Sequence, residues 1–209
     1  MTMTYKQTPI KKLLIANRGE IALRIARTAT EAGIATCAIA PADDLGSLHV
    51  LRADQVVTLP GQGARAYLDI AAVISAGLEA GCDAVHPGYG FLSENAEFAR
   101  AAHEAGMIFV GPTAESLDTY GDKLSARALA DRVGVPTLPG TSDPVDAQGA
   151  AAFFDTLPAG AAMIVKAVAG GGGRGMRLVE TRDATAEAVA SAGREAGAAF
   201  GNPSGHLDF

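Results

Sequence analysis

Residues 13–40 read LLIANRGEIALRIARTATEAGIATCAIA, and the fold turns on how this stretch is parsed. Leu13, Leu14 and Ile15 open a short β-type run. Beyond Gly19, the residues Ile21, Ile25, Thr28 and Ala32 recur at helical spacing. Glu31-Ala32-Gly33 then ends on glycine, and Ile34 enters a second apolar run that continues to Ala40. The same joint returns at Glu79-Ala80-Gly81-Cys82 and at Glu104-Ala105-Gly106-Met107. Glycine takes the left-handed conformation that closes a helix, so each joint reads as a helix end feeding the next strand. Three such units in series predict right-handed β-α-β crossovers and a mostly parallel sheet.

Working outward, strands are expected at 34–40, 56–59, 83–86 and 107–110, with helices over 68–81 and 93–106. Asn17 and Arg18 follow the first strand and are read as capping the helix that begins near Gly19. The pattern changes after Gly134, where VPTLPGTSDPVD (135–146) carries three prolines and turn residues, as a linker between domains does. The expected division is therefore a domain over 1–134 and a linker with a smaller unit over 135–209. In the latter, strands at 163–168 and 175–179 flank a glycine run, and an Ala-rich helix follows over 182–199.

Composition narrows the class. Of 209 residues, 48% are hydrophobic but only 5% aromatic, with no Trp, so the core is built from Ala, Val, Leu and Ile. That suits helices on a parallel sheet better than an aromatic-rich sandwich. The net charge of −6 and the lack of a Lys/Arg-rich run argue against a nucleic-acid partner. Cys37 and Cys82 lie in apolar stretches without partners at metal-ligand spacing, which suits reduced structural thiols and a cytoplasmic location. The first residues contain no apolar leader, and no run suits a bilayer, so no membrane role is expected. His49, His103 and His206 are isolated, and neither a Ser-His-Asp set nor a metal-ligand cluster is present, so no metal site and no catalytic residue is assigned.

The glycine run Gly170, Gly171, Gly172 and Gly173, followed by Arg174 and Gly175, lies between two apolar strands with Lys166 just upstream. Glycines let backbone N–H groups approach phosphate oxygens without Cβ interference, and a lysine adds a point charge. A flexible linker is the commoner explanation of a bare glycine run. The flanking strands and cations favour a lid hairpin over a triphosphate. No Gly-Lys-Ser/Thr follows, so this is not a Walker A loop. The first strand leads into ANRGEI, which lacks the three glycines of a dinucleotide fingerprint.

Four motifs make the resemblance specific. Ala16-Asn17-Arg18-Gly19-Glu20-Ile21-Ala22 with Arg24, and His86 to Asn95 (HPGYGFLSEN), resemble two signatures of the biotin carboxylases. Gly111-Pro112 with Gly121-Asp122-Lys123 and Ala126 resembles a third, and Lys166-Ala167 with 170–176 resembles the family's nucleotide lid. Together they span nearly the whole chain. The resemblance implies an α/β protein: a Rossmann-like (pre-ATP-grasp) parallel-sheet domain, then a small α+β ATP-grasp lid, without the C-terminal ATP-grasp half.

It also implies roles. Lys123, Lys166, Gly170, Gly171, Gly172, Gly173, Gly175 and Met176 would bind ATP, and Tyr89, Gly90 and Glu94 would line the side facing biotin. For Pro87, Gly88 and Gly90, shaping the turn is an equal alternative. Mg²⁺ is the implied cofactor and carrier-bound biotin the implied substrate. A biotin carboxyl carrier and a carboxyltransferase are the implied partners, and the first helix, with Arg24, is implied in a homodimer. Acetyl-CoA, propionyl-CoA, pyruvate and urea carboxylases share this front end.

Ala169 stands where the family has glycine, Ala40-Pro41 replaces its Tyr-Ser, and Asp208-Phe209 falls where Glu-Lys contacts adenine. The Glu-x-Asn-x-Arg-x-Gln-x-x-x-Glu-His segment, which supplies metal carboxylates and base, is not in these residues. A non-catalytic nucleotide-binding or assembly subunit completed by a partner chain is the alternative. Another ATP-grasp ligase would lack the first two signatures.

Overall fold

The computed structural model describes residues 9–141, 143, 145–167, 176–200 and 207–208. The chain divides into two compact units, one ending at Asp118 and the other beginning at Thr119. The first carries, in order, β1 (Lys12–Ile15), α1 (Gly19–Glu31), β2 (Ala35–Pro41), the single turn α2 (Leu48–Leu51) and β3 (Gln55–Leu59). It continues with α3 (Ile70–Glu79), β4 (Ala84–His86), α4 (Ala96–Glu104), β5 (Ile108–Phe109) and α5 (Ala114–Gly121), which crosses the division. The second carries α6 (Lys123–Val133), α7 (Ala147–Phe154), β6 (Met163–Ala167), β7 (Met176–Val179), α8 (Thr185–Phe200) and β8 (Leu207–Asp208). Helix α6 therefore sits with the second unit, while the sequence pattern changes only at Gly134.

Every strand pair of the first sheet is parallel, in the order β3-β2-β1-β4-β5. Side-chain alternation along β1 explains how both faces are covered. Leu14 packs with Cys37, Ile39, Val73, Ala76, Phe98 and Ala102, the α3 and α4 side. Leu13 and Ile15 face the other way, against Ala22, Ile25, Ala26 and Ala29 of α1. Burying an aliphatic side chain of this kind contributes about 1.5–3 kcal/mol, so β1 anchors both layers.

The joints are built as the sequence implies. Gly33, Gly81 and Gly106 all have positive φ, at 72°, 68° and 75°. After each, the next N–H reaches back five residues: Ile34 to Ala29, Cys82 to Gly77 and Met107 to Ala102, at 2.8–2.9 Å. This is the Schellman closure, which uses otherwise orphaned carbonyls and turns the chain straight into a strand.

Two helices start later than periodicity suggests, because polar caps decide the start. Asp69 accepts the Ala72 N–H at 3.0 Å, so α3 begins at Ile70. Asn95 accepts the Phe98 N–H at 2.9 Å, which leaves Ser93 and Glu94 in the preceding turn. At α1 the expected capping is not found. Arg18 is the N-cap residue and no side chain caps it, while Asn17 is spent elsewhere.

In the second unit the antiparallel sheet runs β7-β6-β8. Met163, Val165 and Val179 pack on Ala150, Ala188 and Ala192 from α7 and α8. The described residues of 135–146 form neither helix nor strand. Among the described residues, no helix is long and apolar enough to cross a membrane.

Candidate functional site

Strand order reverses between β1 and β4, and in doubly wound sheets ligands bind in the crevice at the carboxyl ends of such a pair. The turn that follows β4 lies there. Asn17, only 2% exposed, reaches across from the end of β1. Its Nδ2 donates to the carbonyls of Pro87 at 2.6 Å and Tyr89 at 2.8 Å, and its Oδ1 accepts the Arg18 N–H at 2.8 Å. Gly88 has φ +68°, and a Cβ there would stand 2.7 Å from Asn17 Nδ2, so only glycine fits. The Gly88 N–H donates to His86 Nδ1 at 3.0 Å. Burial holds His86 below its usual pKa, in keeping with a neutral ring that accepts through Nδ1.

Gly90 and Phe91 also have positive φ, 66° and 44°. For Phe91 that is a strained backbone, held by its ring packing 5.3 Å from the Tyr67 ring. Strain of this kind gathers at ligand-binding turns. The Tyr89 hydroxyl donates to the Glu20 carboxylate, which raises the phenol's pKa and keeps it protonated. Glu94 is exposed, two residues before α4. Tyr89, Gly90 and Glu94 thus share one turn at the switch point.

Beside it lies a polar cluster that motif reading did not single out. Asp44 accepts from Arg18, Ser47 and the buried Tyr67, the last at 2.8 Å, and Arg18 Nε lies 2.7 Å from its carboxylate. Burial alone would raise the Asp44 pKa. The hydrogen bonds from Ser47, Arg18 and Tyr67 outweigh it and bring the group to about 2. The Arg18 guanidinium also sits 5.9 Å from the Tyr67 ring centre. Asp44 therefore ties the segment after β2 to the start of α1. A lone aspartate outside any motif gave no signal in the sequence.

The second unit presents a different surface. In the β6–β7 ladder Ile164 is opposite Leu178 and Lys166 is opposite Met176. With α7 and α8 on the Met163/Val165 side, alternation sends these four to the other face, where Ile164, Met176 and Leu178 are exposed. Among these four described residues three are apolar and Lys166 is a cation, which is also in register with Asp208 of β8. Arg177 points back and pairs with Glu195 of α8 at 2.8 Å. Lys123 is the first residue of α6, directly after Asp122, which caps the helix by accepting the Ser125 N–H at 2.7 Å. Gly170, Gly171, Gly172, Gly173 and Gly175 lie outside the described residues. Among the described residues no group of three or more His, Cys, Asp or Glu could hold a metal.

Comparison with known proteins accounts for both units. Residues 9–117 match the family model "Biotin carboxylase, N-terminal domain". Residues 122–208 match "Carbamoyl-phosphate synthase L chain, ATP binding domain". The biotin carboxylase of Pseudomonas aeruginosa is 45% identical over 200 residues, 95% of this chain and 44% of that protein. The pyruvate carboxylase of Bacillus subtilis is 47% identical over 199 residues, 94% of this chain and 17% of that one.

Among solved structures, the biotin carboxylase domain dimer of the Hydrogenobacter thermophilus 2-oxoglutarate carboxylase, with MgADP, ADP and bicarbonate, gives a TM-score of 0.91. It is 36% identical, and the match covers 97% of this chain and 44% of that one. The Campylobacter jejuni biotin carboxylase complexed with β-γ-ATP gives 0.89 at 38% identity, covering 96% of this chain and 45% of that one.

The class is thus a parallel-sheet domain followed by an ATP-grasp lid. The chain belongs to the biotin carboxylase family. It spans under half the length of these relatives.

Proposed function

We propose that this chain forms the front portion of an ATP- and bicarbonate-dependent ligase that carboxylates biotin on a carrier protein. The observation that carries this reading is the Lys166–Met176 pair on the open face of the antiparallel sheet. Ile164, Met176 and Leu178 offer an apolar surface for a purine, and Lys166 offers a charge for its phosphates. In this reading the glycines 170–173 and 175 close over the nucleotide and Lys123 adds a second cation. Tyr89, Gly90 and Glu94 line the side facing biotin.

The γ-phosphoryl group of ATP passes to bicarbonate, giving ADP and carboxyphosphate. Carboxyphosphate breaks down to CO₂ and phosphate, the released phosphate takes the N1 proton of biotin, and N1 then forms its bond to the carbon of CO₂. Bound Mg²⁺ would neutralise phosphate charge, held by carboxylates of the family segment that these 209 residues do not contain. A biotin carboxyl carrier and a carboxyltransferase are the partners, and the complete enzyme works as a homodimer in the cytosol, where the buried thiols Cys37 and Cys82 stay reduced.

The test uses the purified chain. Calorimetry should detect weak MgATP binding that Lys166→Ala abolishes, with no biotin-dependent ATP cleavage. Turnover by the isolated chain that is lost in Lys166→Ala would overturn this division of labour.

A further inference from the structure

The Tyr89 side chain is 60% exposed on a turn flanked by two glycines of positive φ, a setting in which a tyrosine would ordinarily swing freely. It is nevertheless held at both ends. Its hydroxyl donates to Glu20 in the first turn of α1, across 69 residues of sequence. Its carbonyl, and that of Pro87, accept from buried Asn17. Asn17 thereby spends both amide protons on the two carbonyls that flank Gly88, whose left-handed backbone leaves room for that approach.

We infer that Asn17 and Glu20 are positioning residues for the biotin side of the site: Asn17 fixes the backbone of the turn and Glu20 fixes the Tyr89 ring. The inference rests on the reading of Tyr89 given above, and neither residue needs to touch substrate. A bland role exists for Glu20, since any acid in a first helical turn complements the helix dipole. Side-chain length separates the two. Aspartate at position 20 keeps the charge but withdraws the oxygen by one methylene from the Tyr89 hydroxyl. Glutamine keeps the length and an acceptor oxygen but drops the charge.

The experiment measures biotin-dependent ATP cleavage by the complete enzyme containing this chain, with free biotin as the probe. The KM for biotin is expected to rise about tenfold in Glu20→Ala and in Glu20→Asp, and to stay within about threefold in Glu20→Gln. The KM for ATP should stay within about twofold throughout. Combining Glu20→Ala with Tyr89→Phe should add nothing to either single change, because both break one hydrogen bond.

A wild-type biotin KM in Glu20→Asp, or equal rises for ATP and biotin in Glu20→Ala, would sink the inference. If the wild-type enzyme shows no biotin dependence, the proposed function fails instead. The clamp is then read by titrating the Tyr89 ring carbons by NMR. The phenol should ionise at lower pH in Glu20→Gln than in wild type, and coincident curves would refute the hydrogen bond. Asn17→Ala is followed by amide exchange at Gly88, whose N–H is bonded to His86 Nδ1, expected to accelerate while exchange in β1 does not. Unchanged exchange at Gly88 would remove Asn17 from the clamp.

Discussion

Replacing Asp44 by Asn tests whether the cluster at the sheet's carboxyl edge is held by charge. The Asp44 pKa falls from 3.8 to about 2, and one unit corresponds to about 1.4 kcal/mol, so the ceiling from linkage is about 2.5 kcal/mol. Arg18 is 44% exposed and solvent screens it, which reduces this share to about 1–2 kcal/mol. Asparagine also turns an NH₂ towards donors that now meet an oxygen, Tyr67 on one side or Ser47 on the other, adding about 1 kcal/mol. Asp44→Asn should therefore lose about 2–3 kcal/mol at pH 7.

The group's folded pKa is depressed, so the contribution is present above the unfolded value near 4 and is lost as pH falls through about 2. Urea unfolding followed by near-ultraviolet circular dichroism, repeated from pH 7 down to pH 2, measures both quantities. A deficit below 0.5 kcal/mol at pH 7, or one that stays constant to pH 2, would refute the reasoning.

Other perturbations probe separate parts of the chain. Gly88→Ala meets both a positive φ and the Asn17 amide and should cost about 2–4 kcal/mol, whereas Gly106→Ala, with open space around it, should cost about 1 kcal/mol by the same urea assay. Burial lowers the pKa of His49 and His86, so the unfolded chain binds more protons below about 6.5 and stability should decline from there towards pH 5. His49→Leu should flatten that decline when melting is compared across the same range. Leu14→Ala, at the centre of the parallel sheet, should cost about 2–5 kcal/mol in urea unfolding.

Much of the architecture was legible because it is written in local terms. A glycine after Glu-Ala closes a helix through bonds within five or six residues, so each joint could be read one at a time. Element ends were less legible, since Asp69 and Asn95 shift them by side-chain hydrogen bonds that hydrophobic periodicity does not register. Lys166 and Met176 were each visible in the glycine-flanked strands, but their pairing on one face required the antiparallel register.

By itself, then, the sequence determined the parallel sheet, its helical closures and the motifs that carry the family. The tertiary structure alone decided that Asn17 grips the turn at 87–89 and does not cap α1. It likewise decided that Glu20 holds Tyr89 and that Asp44 joins Arg18 to Tyr67. These partners lie 23 to 72 residues apart in the chain, and a hydrogen bond depends on distance in space, which neither spacing nor composition records.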